Sequence, residues 1–261
     1  VDDQPNSSGD DTMTAITIGG AAGAGAPEIG VRLATSLRLD YVSRLALRTL
    51  ATQFNATPEA VWMKENHHCG FWERTGHNLA RAFEAMGEYG IMEDPLGYPA
   101  MAQDPFFGMA PVVPRDDSDE LRTEHQDIPD DEYTNELALV NHGFARKSDV
   151  VLVKRVGCST LQGEEDVIHI GLFASRDHRI ARLSNRLKTS SIEAADVLKK
   201  WEKRRSVIFN HVNGSNPHDR DLYDIIIRTD AADESNIVPF IQNELLQRGL
   251  LSESVQSRLR N

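Results

Sequence analysis

Cysteine is almost absent from this 261-residue chain: Cys69 and Cys158 are the only two. Two thiols give no disulfide framework, so a reducing compartment, the cytoplasm, is expected. Long apolar runs are missing as well. None approaches the ~20 residues that span a bilayer, so no membrane partner is expected. No charged segment precedes an apolar one near residue 1, and no signal peptide is expected. Basic residues are in the minority: 28 Lys and Arg face 40 Asp and Glu, for a net charge of −12. A chain so acidic repels a phosphodiester backbone, which argues against nucleic acid as a partner. Small anions can still be held by local basic clusters. Glycine (18) and proline (11) are too few for collagen or wholesale disorder.

What is present is 40% hydrophobic residues, enough for one sizeable core. Residues 1–12 are polar and lack apolar anchors, so they are expected as a disordered extension, with Met13 a candidate natural start. Residues 13–261 are expected as a single domain. Residues 15–18 form a short apolar run, a buried-strand signal. A glycine- and alanine-rich loop follows over 19–26. Pro27 suits a first helical turn, and Ile29, Leu33 and Leu37 recur at helical spacing. Residues 39–41 open a second short segment, and 44–54 predict a helix. Helices are also expected over 58–65 and 71–86. Glycine, proline and acidic residues then punctuate 87–130, so residues 56–130 read as a helical and irregular insertion. Further helices are predicted over 130–144, 176–187, 192–209 and 237–248, with strands over 150–153, 168–173 and 223–227. Apolar strands alternating with helices imply an α/β fold with a mostly parallel sheet and helices on both faces.

In such a sheet, ligands bind beyond the carboxyl ends of the strands. A glycine loop between the first strand and first helix presents backbone N–H groups there, at the positive end of the helix dipole. Gly20 and Gly25 have the spacing of a Walker A loop, G-x-x-x-x-G-K-[ST]. Ala26 stands where the lysine belongs, and Pro27 and Glu28 follow where a magnesium-binding hydroxyl is usual. Two readings are open from the loop alone: an anion cradle, or a tight turn whose small residues serve packing. Glu28 would repel a phosphate locally.

The segment ITIGGAAGAGAPEIGVRLATSLRLDYVSRLALRTLA resembles the opening of the cytidylate-kinase-like family, one branch of which carries a G-S-G-G-R-E-I-G loop. Here that stretch reads Gly23-Ala24-Gly25-Ala26-Pro27-Glu28-Ile29-Gly30. The branch also lacks the Walker lysine, but it has arginine where this chain has Pro27. The resemblance resumes at Asp131-Glu132-Tyr133, VVLVKRVG (150–157), IHIGLFASRDHRIARLSNR (168–186), WEKRR (201–205) and YDIIIRT (223–229). It covers residues 14–55 and 130–247.

The resemblance implies a three-layer, P-loop NTPase-like fold with an arginine-rich lid. It implies a phosphotransferase that uses ATP and Mg²⁺ and passes phosphate to a nucleoside monophosphate such as CMP. Small-molecule nucleotides are then the partners, and homodimerisation is left open. The phosphate cradle would be Gly20, Gly23, Ala24, Gly25 and Ala26. Arg179, Arg182 and Arg186 lie at i, i+3 and i+7, on one helix face. They would close over the donor phosphates, joined by Arg205. Arg44 and Arg155 would hold the acceptor. Arg155, Arg179 and Arg182 are the implied catalytic residues, because arginine's planar fork binds phosphate oxygens in pairs. No metal ligand follows from the loop; Asp177 is a weak candidate. The bland reading of the arginines is a solvated basic face salt-bridged to its neighbours. The alternative function is a catalytically impaired nucleotide-binding pseudokinase, a sensor or interaction module.

Other groupings carry less. His67, His68, Cys69 and His77 match no structural zinc spacing and are expected in a polar segment connecting helices, with His68 and His77 lining an acceptor pocket as the open alternative. Cys158 with His169 suggests a nucleophile only weakly, since Cys158 follows an apolar strand and is expected as a packed thiol. Trp62, Phe71 and Trp72 are expected to pack the inserted helices, with stacking on a base the open alternative.

Overall fold

A computed structural model describes residues 13–42, 44–56, 60–61, 128–153 and 156–260, with 44–48 and 234 as backbone. Its five strands are β1 (Ala15–Gly20), β2 (Asp40–Val42), β3 (Val150–Val153), β4 (Val167–Phe173) and β5 (Ile225–Arg228). They form one sheet in the order β2-β3-β1-β4-β5. Every pairing is parallel. The all-apolar runs are explained by this position: strands covered on both faces have no solvent side to alternate toward. All four residues of β3 are buried, as are all six of β1.

The helices are α1 (Ala26–Leu37), α2 (Arg44–Gln53), α3 (Asp130–Lys147), a single turn α4 (Gly157–Thr160), α5 (Arg176–Leu187), α6 (Ser191–Asn213), α7 (Glu234–Gln247) and α8 (Glu253–Arg260). One face of the sheet, built from Ile16, Ile18, Val151, Val153, Ile170 and Leu172, packs with Ile29, Leu33 and Leu37 of α1 and with Ile237, Ile241 and Leu245 of α7. The other face carries Ala15, Val150 and Leu152. It packs with Leu50 and Ala51 of α2, Tyr133 and Leu137 of α3, and Phe209 of α6. This is the expected α/β layering, and it is that of a P-loop NTPase-like kinase.

Several boundaries differ from expectation: the helix expected over 130–144 runs on to Lys147, and the one expected over 237–248 starts at Glu234. β1 runs on through Gly19 and Gly20, which pair with Gly171 and Leu172 of β4. The glycine run is therefore half strand and half loop. β5 starts at Ile225 rather than Tyr223, because residues 220–222 coil into a 3₁₀ turn first. The helix expected over 192–209 runs from Ser191 to Asn213. Ser190 caps it: its hydroxyl accepts from the Glu193 N–H, and the Glu193 carboxylate accepts from the Ser190 N–H. The expected extension 1–12, helices 58–65 and 71–86 and most of the insertion lie outside the described residues.

The topology fixes where a ligand can go. The chain leaves β1 toward β2 and β3 on one side, and leaves β4 toward β5 on the other. The carboxyl ends of β1 and β4 thus flank the crevice used by open parallel sheets.

Candidate functional site

The glycine loop turns at that crevice. Gly20 has φ +97°, and a Cβ there would stand 2.1 Å from the Leu172 carbonyl oxygen, so no other residue fits. Its N–H donates to the Tyr223 hydroxyl at 3.1 Å. The Ala21 N–H donates to Leu172 O at 2.7 Å, and the Ala24 N–H to Ala21 O at 3.1 Å. Thr229 Oγ1 donates to the Ala24 carbonyl at 2.9 Å, pinning the far side of the loop from the end of β5. Gly25, at φ +98°, caps α1, and Pro27 lies in that helix's first turn. Among the described residues, the N–H groups of Gly23, Gly25 and Ala26 have no hydrogen-bond acceptor. Unpaired N–H groups at the positive end of the α1 dipole are suited to hold an anion.

Helix α5 runs beside this loop. A Cβ on Gly23 would meet the Arg179 Cβ at 3.2 Å, and a Cβ on Gly25 would meet Arg182 Nη1 at 2.9 Å. Arg186 Nη1 lies 3.6 Å from Glu28 Oε1. The three arginines of one helix face therefore track loop positions 23, 25 and 28. Their surroundings differ. Arg179 is 8% exposed. Its Nε donates to Ala174 O and its Nη1 to Ala22 O, both at 3.1 Å, and Nη1 also pairs with the Glu202 carboxylate. It ties the loop to α5 and α6.

Helix α6 supplies the rest. Arg205 Nη2 lies 3.4 Å from where a Cβ on Gly19 would be. Its guanidinium sits 5.1 Å from the Phe209 ring centroid, and its Nε is buried with no hydrogen-bond partner among the described residues. Arg204 pairs with Asp130 at 3.5 Å and anchors α6 to α3. A cleft of about 180 Å³ opens between these elements. The loop from Ala21 to Glu28 forms one wall; Arg182 and Arg186 of α5 face it; Trp201, Arg205 and Phe209 of α6 close the side, with Tyr133 of α3. Backbone donors and guanidinium forks on one cleft are suited to a polyphosphate.

Titratable groups beneath the loop are held in their neutral forms. Burial pushes the Cys158 thiol up, against the opposing pull of the Arg205 charge. Burial also pushes the Tyr223 phenol up, with Cys158 adding to the rise and Arg205 opposing it. Tyr223 thus stays a phenol, donating to Pro217 O at 2.9 Å while it accepts from Gly20. Burial lowers the His218 pKa, with Glu202 opposing and Arg205 and Arg179 adding to the fall. Cys158 bonds the Tyr223 hydroxyl, and His169 bonds Thr17 Oγ1 at 2.7 Å, so the two do not form a nucleophile–base pair. Cys158 is the packed thiol expected from its place after β3.

Of the candidate residues, the structure brings together Gly20, Gly23, Ala24, Gly25, Ala26, Arg179, Arg182, Arg186 and Arg205. Arg155 and the side chain of Arg44 lie outside the described residues, as do His67, His68, Cys69, His77, Trp62, Phe71 and Trp72. Asp177 is exposed on the first turn of α5 and does not line the cleft. Among the described residues no three acidic, histidine or cysteine side chains could hold a metal by themselves, and no helix is long and apolar enough to cross a membrane. Sequence reasoning missed the Glu28–Arg186 pair and the cleft position of Arg204. An acidic residue in the first helical turn after the glycine loop marks Glu28 as lying beside the loop, but does not reveal its partner on α5. Arg204 had no signal, since WEKRR does not reveal which arginine faces inward.

The family model described as cytidylate kinase-like matches residues 15–231. A solved structure of an uncharacterized protein from Eubacterium ventriosum superposes with a TM-score of 0.52 at 15% identity, covering 89% of this chain and 98% of its own. That likeness shows a common fold. No curated protein matches the chain.

Proposed function

The chain belongs to the cytidylate kinase-like family, and from that premise we propose a phosphotransferase that moves a phosphoryl group from ATP to a nucleoside monophosphate of the CMP type or a related small acceptor. One observation carries the reading: loop N–H groups, Arg182, Arg186 and Arg205 converge on one cleft at the carboxyl ends of β1 and β4. Phosphoryl transfer is mostly positioning and charge stabilisation, so a site can work without a nucleophilic or basic side chain. The N–H groups of Gly23, Gly25 and Ala26 bind the donor phosphates. Arg182 and Arg205 stand in for the absent loop lysine, neutralising oxygens as charge develops. Arg179 acts on the loop rather than the ligand, holding Ala22 in place. Arg44 and Arg155 hold the acceptor phosphate, on the family resemblance. An acceptor oxygen then bonds the γ-phosphorus as the bond to the ADP oxygen breaks. Mg²⁺, when bound, neutralises part of the phosphate charge.

A second reading is a nucleotide-binding pseudokinase. Two lid arginines already have acidic partners, Arg179 with Glu202 and Arg186 with Glu28, and the loop has no cation of its own. Both readings meet one experiment. Purified protein with ATP, Mg²⁺ and a panel of nucleoside monophosphates is assayed for coupled ADP release, with ADP binding measured by calorimetry. Turnover that depends on the monophosphate supports the kinase. Binding without turnover supports the pseudokinase, and no binding of ATP or ADP sinks both.

A further inference from the structure

The loop position that carries a metal-binding hydroxyl in a Walker sequence is Pro27, which has none. The next residue is Glu28, in the first turn of α1 and 9% exposed. It lines the cleft beside Gly25 and Ala26. Its Oε1 is 3.6 Å from Arg186 Nη1, beyond hydrogen-bond distance, and its Oε2 is enclosed with no hydrogen-bond partner among the described residues. A carboxylate is acceptor-only and needs a proton donor or a cation on each oxygen. Burying one half-satisfied is costly, and packing alone does not repay it.

The ligand of this cleft sharpens the problem. Phosphates held by the loop N–H groups would lie against the Glu28 carboxylate, and like charges repel. A cation between them converts that repulsion into two attractions. We propose that Glu28 is the protein ligand of the divalent cation that arrives with the nucleotide, taking the place of the hydroxyl that Pro27 removes. The inference rests on the nucleotide-binding reading above. Small hard cations are held by one or two carboxylates together with phosphate oxygens and water, which one Glu and a polyphosphate supply. The cation does not bind alone. No three-ligand cluster exists among the described residues, and Arg182 and Arg186 repel a bare cation beside Glu28.

The test is calorimetry on the full chain with ADP, with Mg²⁺ or with EDTA, in wild type and Glu28→Gln. In wild type Mg²⁺ tightens ADP binding by about tenfold or more, the scale on which metal-site groups act. In Glu28→Gln the EDTA affinity equals or exceeds that of wild type, because the repulsion is gone, and the Mg²⁺ enhancement falls below about twofold. Persistence of the wild-type enhancement in Glu28→Gln overturns the inference and means that Glu28 only positions Arg186. Metal-independent ADP binding in wild type also overturns it while leaving the nucleotide reading intact. No ADP binding under any condition removes that reading and this one together. A measurement on the unaltered protein guards against a variant that does not fold. In wild type carrying ¹³C in its glutamate carboxyls, pulsed EPR of bound Mn²⁺·ADP shows ¹³C coupling. Its absence overturns the assignment.

Discussion

Arg179 and Arg182 are three residues apart on one helix face, and their surroundings give them separate roles. Arg179 is buried and holds Ala22 O, Ala174 O and Glu202. Replacing it with alanine leaves Glu202 partly buried and unpaired. Fully buried pairs cost 3–5 kcal/mol to break; Glu202 reaches solvent, so about 2–3 kcal/mol is expected in urea unfolding. Arg182→Ala should change stability by less than about 1 kcal/mol. It should weaken ADP binding by about tenfold or more, the value of one hydrogen bond to a charged group. The reverse pattern would exchange the two assignments. The spacing of 179, 182 and 186 made the shared face legible in the sequence. The commitment of Arg179 was not, since Ala22, Ala174 and Glu202 meet only in the fold. Glu28 is the same case: its repulsion of phosphate is local and readable, whereas its pairing with Arg186 is not. His169 carries a second prediction at this scale. Burial lowers its pKa from the ordinary 6.5, with Asp224 opposing. The folded state therefore prefers the neutral ring, and below pH 6.5 the unfolded chain binds more protons. The stability it contributes is complete above that pH and declines as pH falls through it. The melting temperature should fall between about pH 7 and 5, the range in which histidine titrates, and fall less steeply in His169→Gln. His218, whose pKa is also lowered, leaves part of the slope in place.

At the scale of elements, the α5–α6 hairpin behaves as a unit. Leu183, Ala194, Val197 and Leu198 form a small core of their own, with Ile180, Trp201 and Ala22 of the glycine loop against it. The capping box at Ser190 fixes the turn between the helices. Leu183→Ala should cost about 2–4 kcal/mol, the range for a buried leucine. It should also weaken ADP binding, because Arg182, Arg186 and Arg205 all ride on the hairpin. Lost stability with unchanged ADP affinity would show that the hairpin does not carry the site. Elements with strong signals were legible: the bounds of α5 and β3 coincide with the sequence prediction. Gly19 and Gly20 look like loop because glycine disfavours strand, yet their backbone pairs with β4, and at Gly20 the Leu172 carbonyl approaches where only a bare Cα fits. The turns at 157–160 and 220–222 are too short to show periodicity. Helix α8 is mostly polar, with Val255 its fully buried side chain, so its apolar stripe is too thin to read.

For the whole molecule, the division of the core decides how ligand binding spreads. One face of the sheet packs with α1 and α7, and the other with α2, α3 and α6. The cleft touches the first group only through the opening turn of α1, and it touches α5 from Arg182 to Arg186 and α6 from Trp201 to Phe209. The net charge of −12 does not alter this, since at about 0.15 M salt distant charges are screened beyond roughly 8 Å and the arginines within the cleft dominate. A ligand at 100 times its Kd stabilises the folded state by about 2.7 kcal/mol, and amides that open locally gain protection where the ligand bridges elements. Hydrogen exchange with saturating ADP and Mg²⁺ should therefore slow most over residues 19–30 and 176–210, where loop and hairpin meet. It should change little over 234–260, where α7 and α8 pack away from the cleft. Protection spread evenly over the chain would mean that ADP acts only on global unfolding. Protection confined to 234–260 would place the site elsewhere and remove the convergence of loop and arginines as its basis.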